Sequence, residues 1–173
     1  IVVTNDPMIQ MPYEKHSVDN FDGFDGTLVN DCLKFIESRY RVKKDKWSRA
    51  IAGFSLGSMQ ASCLGFSYPE IFGSIGILSG YMRRRDSHPR YDQNPYLDMC
   101  KDPKKLDENY KLIYRCMGDQ DGNFPEFLED DEFCAKYGAD KAKCYRRKVY
   151  EGRIHDVNCG RREFYDFAQM LFR

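Results

Sequence analysis

The stretch Arg49-Ala50-Ile51-Ala52-Gly53-Phe54-Ser55-Leu56-Gly57-Ser58-Met59-Gln60 constrains this chain more than any other. An apolar run, Ala50 to Phe54, ends at a serine held between Gly53 and Gly57, and a helix-compatible segment follows at once. A G-x-S-x-G pattern between strand and helix marks a nucleophile elbow. The turn has to be tight, so a Cβ at Gly53 or at Gly57 is expected to crowd it. It lifts the Ser55 hydroxyl clear of the sheet. The N-terminus of the following helix offers backbone N–H groups, that of Leu56 first, to a developing oxyanion. The bland alternative is a Gly-rich strand-to-helix turn with no chemistry, since Gly and Ser are common in turns.

Composition narrows the field. The chain has 173 residues, the length of one ordinary domain. Lys+Arg and Asp+Glu number 27 each, so the net charge is zero and nothing argues for a nucleic acid or an anionic membrane as partner. No apolar run approaches the roughly 20 residues of a membrane span. The chain opens on Ile1-Val2-Val3-Thr4, which reads as a strand and not as a natural start. The seven cysteines, Cys32, Cys63, Cys100, Cys116, Cys134, Cys144 and Cys159, form no C-x-x-C pair, which speaks against a zinc site. Their number predicts a secreted, extracellular protein with disulfides. Cys134 with Cys144 and Cys100 with Cys116 are possible bridges, and Cys63 reads as a buried free thiol.

Strand and helix signals alternate, which predicts an α/β fold with a mostly parallel sheet and helices on both faces. Strands are expected at 1–4, 49–54, 72–79, 111–117 and 144–151. Helices are expected at 27–40, 56–68 and 125–137, and a last one carries Phe164, Phe167, Ala168 and Leu171 at helical spacing. Residues 81–109 read as a long polar loop inserted over the active site.

A serine nucleophile needs a base, and the base needs an orienting acid. Of the three histidines, His155 lies just after the last strand, His16 is the runner-up, and His88 suits a surface role. Asp119 and Asp121 both follow the strand that ends at Met117-Gly118, where an aspartate can also merely bond local backbone. Asp156 suits the cap of the final helix. Every candidate follows the C-terminal end of a strand, the edge at which parallel sheets place their sites. The order Ser55, Asp121, His155 predicts acyl transfer without metal or organic cofactor.

Four segments carry a family resemblance: Ile1–Thr4, Asn30–Val42, Arg49–Gln60, and His155-Asp156-Val157-Asn158 with Phe164–Phe172. The chain resembles the esterase D-like branch of the α/β-hydrolases, and within it the feruloyl esterases of carbohydrate esterase family one. The family's Gly-x-x-Asp matches Gly118-Asp119-Gln120-Asp121, which favours Asp121 as the acid. Two departures stand out. Arg153-Ile154 precede His155 where the family has small residues, and Val157 follows where it has an aromatic. The family's early strands and oxyanion loop have no counterpart here. The resemblance therefore implies that residues 1–173 are the C-terminal portion of a longer enzyme, with a preceding N-terminal segment as partner.

The resemblance implies hydrolysis of hydroxycinnamoyl esters, with feruloylated arabinoxylan or small phenolic esters as substrate. Tyr81, Met82, Tyr91 and Tyr96 are the expected lining of an aromatic slot; alternatively they pin a surface loop to the core. The competing functions are an acetylxylan esterase, an S-formylglutathione hydrolase-like esterase, and a non-catalytic binding protein on the same fold.

Overall fold

Four short segments from Ala50 onward become the strands of one parallel sheet. The structure, a computed structural model, describes residues 1–4, 26–82 and 95–172, without the side chains of 95–97. It divides into two units, Ile1–Lys44 and Asp45–Arg173. In the first, a π-helical turn, Thr27–Cys32, runs into helix α1, Leu33–Arg39, where the apolar spacing predicts a helix. Ile1–Thr4 is not a strand, contrary to its β-branched composition. A strand exists only through ladder hydrogen bonds to a neighbour. None pairs with it among the described residues, and Ile1 and Val2 are exposed.

In the second unit, β1 (Ala50–Phe54), β2 (Ser74–Leu78), β3 (Leu112–Gly118) and β4 (Tyr145–Tyr150) lie in the order β1-β2-β3-β4, all parallel. Parallel neighbours cannot be joined by a hairpin, so each connection crosses over and carries helix. Helix α2 (Leu56–Ser67) joins β1 to β2, and α3 (Pro95–Cys100) and α4 (Pro103–Asn109) lie between β2 and β3. Helix α5 (Phe124–Tyr137) joins β3 to β4, and α6 (Val157–Met170) follows β4. Both central strands are buried at every position, which explains their near-continuous apolar sequences. One face of the sheet packs Ile75, Ile77, Ile113 and Tyr145 with Phe66, Leu106 and Cys134. The other packs Leu78, Leu112, Tyr114 and Cys116 with Cys159 and Phe167 of α6. Strand β1 is the edge of this unit's sheet and only half-buried.

Two expectations change. The tract 81–109 is not simply loop, because it contains α3 and α4. Asp102 caps α4 by accepting the N–H groups of Lys104 and Lys105, both at 3.1 Å, with Pro103 in the first turn. That Asp-Pro signal stood in the sequence. The helices are too short to show a period, and burial of Leu106 holds α4 in place. The cysteines are all free thiols. Cys134 and Cys144 do not bridge: Cys134 accepts a hydrogen bond from the Tyr145 hydroxyl at 3.6 Å, and the Cys144 N–H donates to Asp107 at 2.9 Å. Nor do Cys100 and Cys116, which lie in the cores on opposite faces of the sheet.

One charged group is fully buried in β3. Arg115 donates through Nη1 to Asp131 at 2.9 Å and to the Tyr145 hydroxyl at 2.7 Å. Through Nη2 it donates to the Phe127 carbonyl at 3.0 Å and to Asp130 at 3.4 Å. Its guanidinium stacks 4.3 Å from the Phe127 ring centroid. Asp130 also accepts the Met82 N–H at 2.5 Å, so one carboxylate ties α5 to both β3 and the segment leaving β2. Removing one partner of a buried pair leaves the other charge uncompensated. Asp130→Ala is expected to lower unfolding free energy by about 3 kcal/mol, read as a shift in urea midpoint at unchanged slope.

Candidate active site

The backbone at the end of β1 takes a conformation few L-residues adopt. Ser55 has φ 58° and ψ −123°, and its N–H donates to the Leu78 carbonyl at 3.0 Å, tying the turn to β2. Such a residue costs about 1–3 kcal/mol and persists only where its surroundings over-determine it. Here its carbonyl accepts the Ser58 N–H at 2.9 Å and the Ser58 hydroxyl at 2.5 Å. Gly53 is required for the turn, since a Cβ there would lie 1.9 Å from the Gly57 carbonyl oxygen. Gly57 differs from expectation. A Cβ there would meet nothing within 4 Å.

The second group comes from the loop after β3. Gly118 ends that strand against the loop after β4, and a Cβ on it would sit 2.2 Å from the Arg153 carbonyl oxygen. That oxygen accepts the Gln120 N–H at 2.9 Å, and Asp119 accepts the Gly152 N–H at 2.8 Å. The two loops are thereby laced together, and Asp119 is used in the lacing. Asp121 is buried. Its Oδ1 accepts the Asn123 N–H at 2.9 Å, and its Oδ2 lies 2.6 Å from His155 Nδ1.

His155 closes the set. An ionised carboxylate only accepts, so Nδ1 carries the proton toward Asp121 and Nε2 is left as an acceptor. Nε2 lies 2.8 Å from Ser55 Oγ. The ring is 4.9 Å from that of Phe54, at 31°. Asp156 caps α6 directly behind it by accepting the Cys159 N–H at 2.8 Å. Leu56 is the first residue of α2, so its N–H has no carbonyl within the helix and is available to an anion. Leu56 follows Ser55, and Ile154 and Val157 lie within two residues of His155 in the chain; all three side chains are exposed.

The proposed slot residues divide differently. Met82 is corrected: only 3% exposed, it packs in the main core with Met99 and Leu106, where a substrate cannot reach it. Tyr81 is half-buried in the segment after β2. His16, His88, Tyr91 and the Tyr96 side chain lie outside the described residues. One polar residue beside the site was overlooked. Glu163 is fully buried on α6, and burial pushes its carboxyl up to about 7. The signal was available, since Glu163 falls at helical spacing between the apolar positions Cys159 and Phe167.

Comparison with known proteins gives the family and the fold. The model of the family described as Esterase matches residues 12–173. A curated endo-1,4-beta-xylanase/feruloyl esterase from Xylanibacter ruminicola is 31% identical over 152 residues, 87% of this chain and 18% of that protein. A ferulic acid esterase of the CE1 family from Anaeromyces mucronatus, solved with ferulic acid, superposes with a TM-score of 0.70 at 16% identity, over 96% of this chain and 63% of its own. The feruloyl esterase module of Clostridium thermocellum, solved with sinapinate, gives 0.72 at 16% identity, over 92% of this chain and 60% of its own. These likenesses establish the α/β-hydrolase fold. The chain spans about a fifth of the curated relative and about three-fifths of the two solved ones.

The glycines differ in what they tolerate. Gly53→Ala is expected to abolish the native turn and the cooperative thermal transition. Gly57→Ala is expected to be neutral or to stabilise by about 0.5–1 kcal/mol, because it removes helix glycine at no steric cost.

Proposed function

This chain belongs to the esterase family, and on that premise we propose that it carries the catalytic triad of a serine esterase acting on hydroxycinnamoyl esters of plant cell-wall polysaccharide. One observation carries the chemistry: the unbroken run from Ser55 Oγ to His155 Nε2 at 2.8 Å and from His155 Nδ1 to Asp121 Oδ2 at 2.6 Å. A free serine hydroxyl is a weak nucleophile at neutral pH. His155 takes its proton as Ser55 attacks the ester carbonyl, and Asp121 stabilises the imidazolium that forms. The tetrahedral oxyanion accepts a hydrogen bond from the Leu56 N–H. His155 then returns the proton to the departing alcohol. Water, activated by the same histidine, attacks the acyl-enzyme and releases the acid.

The substrate class rests on relatives. The Xylanibacter ruminicola protein is named a feruloyl esterase, and the two solved relatives hold ferulic acid and sinapinate. The exposed apolar side chains of Leu56, Ile154 and Val157, close to Ser55 and His155 in the chain, suit an aromatic acyl group, which gains from leaving water. The proposal extends to three further points. A second oxyanion N–H comes from outside the described residues. A preceding segment of the same enzyme covers the half-buried edge at β1. The enzyme works outside the cell, where its polymeric substrate lies.

Ser55→Ala is expected to lower ester turnover by about 10⁴–10⁶-fold; a mild loss would reject the nucleophile. Asp121→Asn should impair catalysis more than Asp119→Asn, and the reverse ranking would move the acid. For the acyl group, methyl ferulate should be cleaved faster than acetylated xylan at equal enzyme. Faster release of acetate would replace the feruloyl assignment with an acetylxylan esterase.

A further inference from the structure

Glu163 stands where a helix of this kind carries an apolar residue. It lies on the buried side of α6, and none of its surface reaches solvent. Its Oε1 accepts a hydrogen bond from the Ser79 hydroxyl at 2.9 Å and from the Cys159 thiol at 3.6 Å. Its Oε2 is buried without a hydrogen-bond partner among the described residues. A buried carboxyl so incompletely satisfied lowers stability relative to a well-packed apolar side chain. Packing alone therefore does not account for it.

What Glu163 joins is informative. Ser79 follows β2 directly and has φ 43°. Its N–H donates to the Cys116 carbonyl at 2.9 Å, and the residue before it, Leu78, accepts the Ser55 N–H at 3.0 Å. At the other end, α6 begins just after His155, with Asp156 as its cap. The Ser79–Glu163 hydrogen bond is thus a buried strut between two supports. One is the strand end that holds the nucleophile, and the other is the helix that follows the base. The 2.8 Å separation of Ser55 and His155 spans the same two supports.

Charge adds a second link. The groups that face Glu163 are Ser79 from β2, Cys116 from β3, Asp121 from the loop after β3, and Cys159 of α6. Burial raises the Glu163 carboxyl to about 7, hydrogen bonds from Ser79 and Cys159 pull it down, and the Asp121 charge pushes it up again. Burial also raises both thiols, Cys159 to about 11, so they stay neutral donors.

We propose that Glu163 is a positioning residue for the triad: its carboxyl, hydrogen-bonded to Ser79, braces α6 and so holds His155 Nε2 in line with Ser55 Oγ. The proposal rests on the esterase reading, so its readout must separate the two. That readout is the rate at which a fluorophosphonate labels Ser55 in the full-length protein, followed across pH, with a melting temperature for each variant. Ser79→Ala and Glu163→Leu remove the strut, and their plateau rates are expected to fall about tenfold, whereas Glu163→Gln keeps an acceptor for Ser79 and is expected to hold the wild-type plateau. Ser79→Ala and Glu163→Leu proteins that label like wild type overturn the proposal, even if they melt at lower temperature, since that pattern marks a purely structural residue. If Glu163→Leu fails to fold, an unchanged plateau in Ser79→Ala overturns it alone. Wild-type protein that labels at no pH overturns the esterase reading itself, a result distinct from a labelled wild type with unmoved variants.

Discussion

The carbonyl oxygen of Arg153 occupies the space that a side chain on Gly118 would need, and the site depends on that contact. It brings the loop after β3 against the loop after β4, and the Gln120 N–H locks the approach. Asp121 and His155 are carried on those two loops. Their 2.6 Å hydrogen bond is the consequence of a backbone crossing, not of any attraction between distant side chains. Without the crossing, the histidine has no fixed tautomer and the serine no oriented acceptor.

Ser55 is held by a different device. It is strained, and three hydrogen bonds of its backbone maintain it: its N–H donates to Leu78 of β2, and its carbonyl accepts the N–H and the hydroxyl of Ser58 in α2. The strain is local, but what resists it is the parallel sheet behind. A turn at the C-terminal edge of such a sheet can be distorted because the buried strands below it do not yield. Polar groups buried deeper serve the same end. Arg115 with Asp130 and Asp131 fixes α5 to β3, and Glu163 with Ser79 spans β2 and α6. Arg115 links α5 to β3, whose loop carries Asp121, while Glu163 links α6 to the end of β2, whose last residue accepts the Ser55 N–H.

Much of this was legible in the residues. The elbow, the order of serine, acid and base, and all four strands of the sheet stood in local patterns: an apolar run, a Gly-rich turn, a histidine before an amphipathic helix. Such patterns are set by side-chain volume, backbone freedom and helical period, which depend on near neighbours. The failures share a cause as well. Ile1–Thr4 has the composition of a strand but no partner among the described residues. Met82 looks like a slot residue, yet its neighbours in space come from Met99 and Leu106. The cysteines invite pairing by number, whereas pairing needs two sulfur atoms placed together, and the sheet keeps Cys100 and Cys116 on opposite faces.

By itself, then, the sequence determined the alternation of strand and helix, the tight turn at Ser55 and the chain order of Ser55, Asp121 and His155. Only the tertiary structure decided which aspartate faces the histidine, because Asp119 is consumed by the Gly152 N–H while Asp121 is left to His155. It also decided that Gly53 is indispensable and Gly57 is not, and that Glu163 lies behind the site. These are questions of which atoms approach from remote parts of the chain. A backbone crossing such as that of Gly118 and Arg153 has no local signature, since its steric and hydrogen-bond energies arise only once both loops are in place.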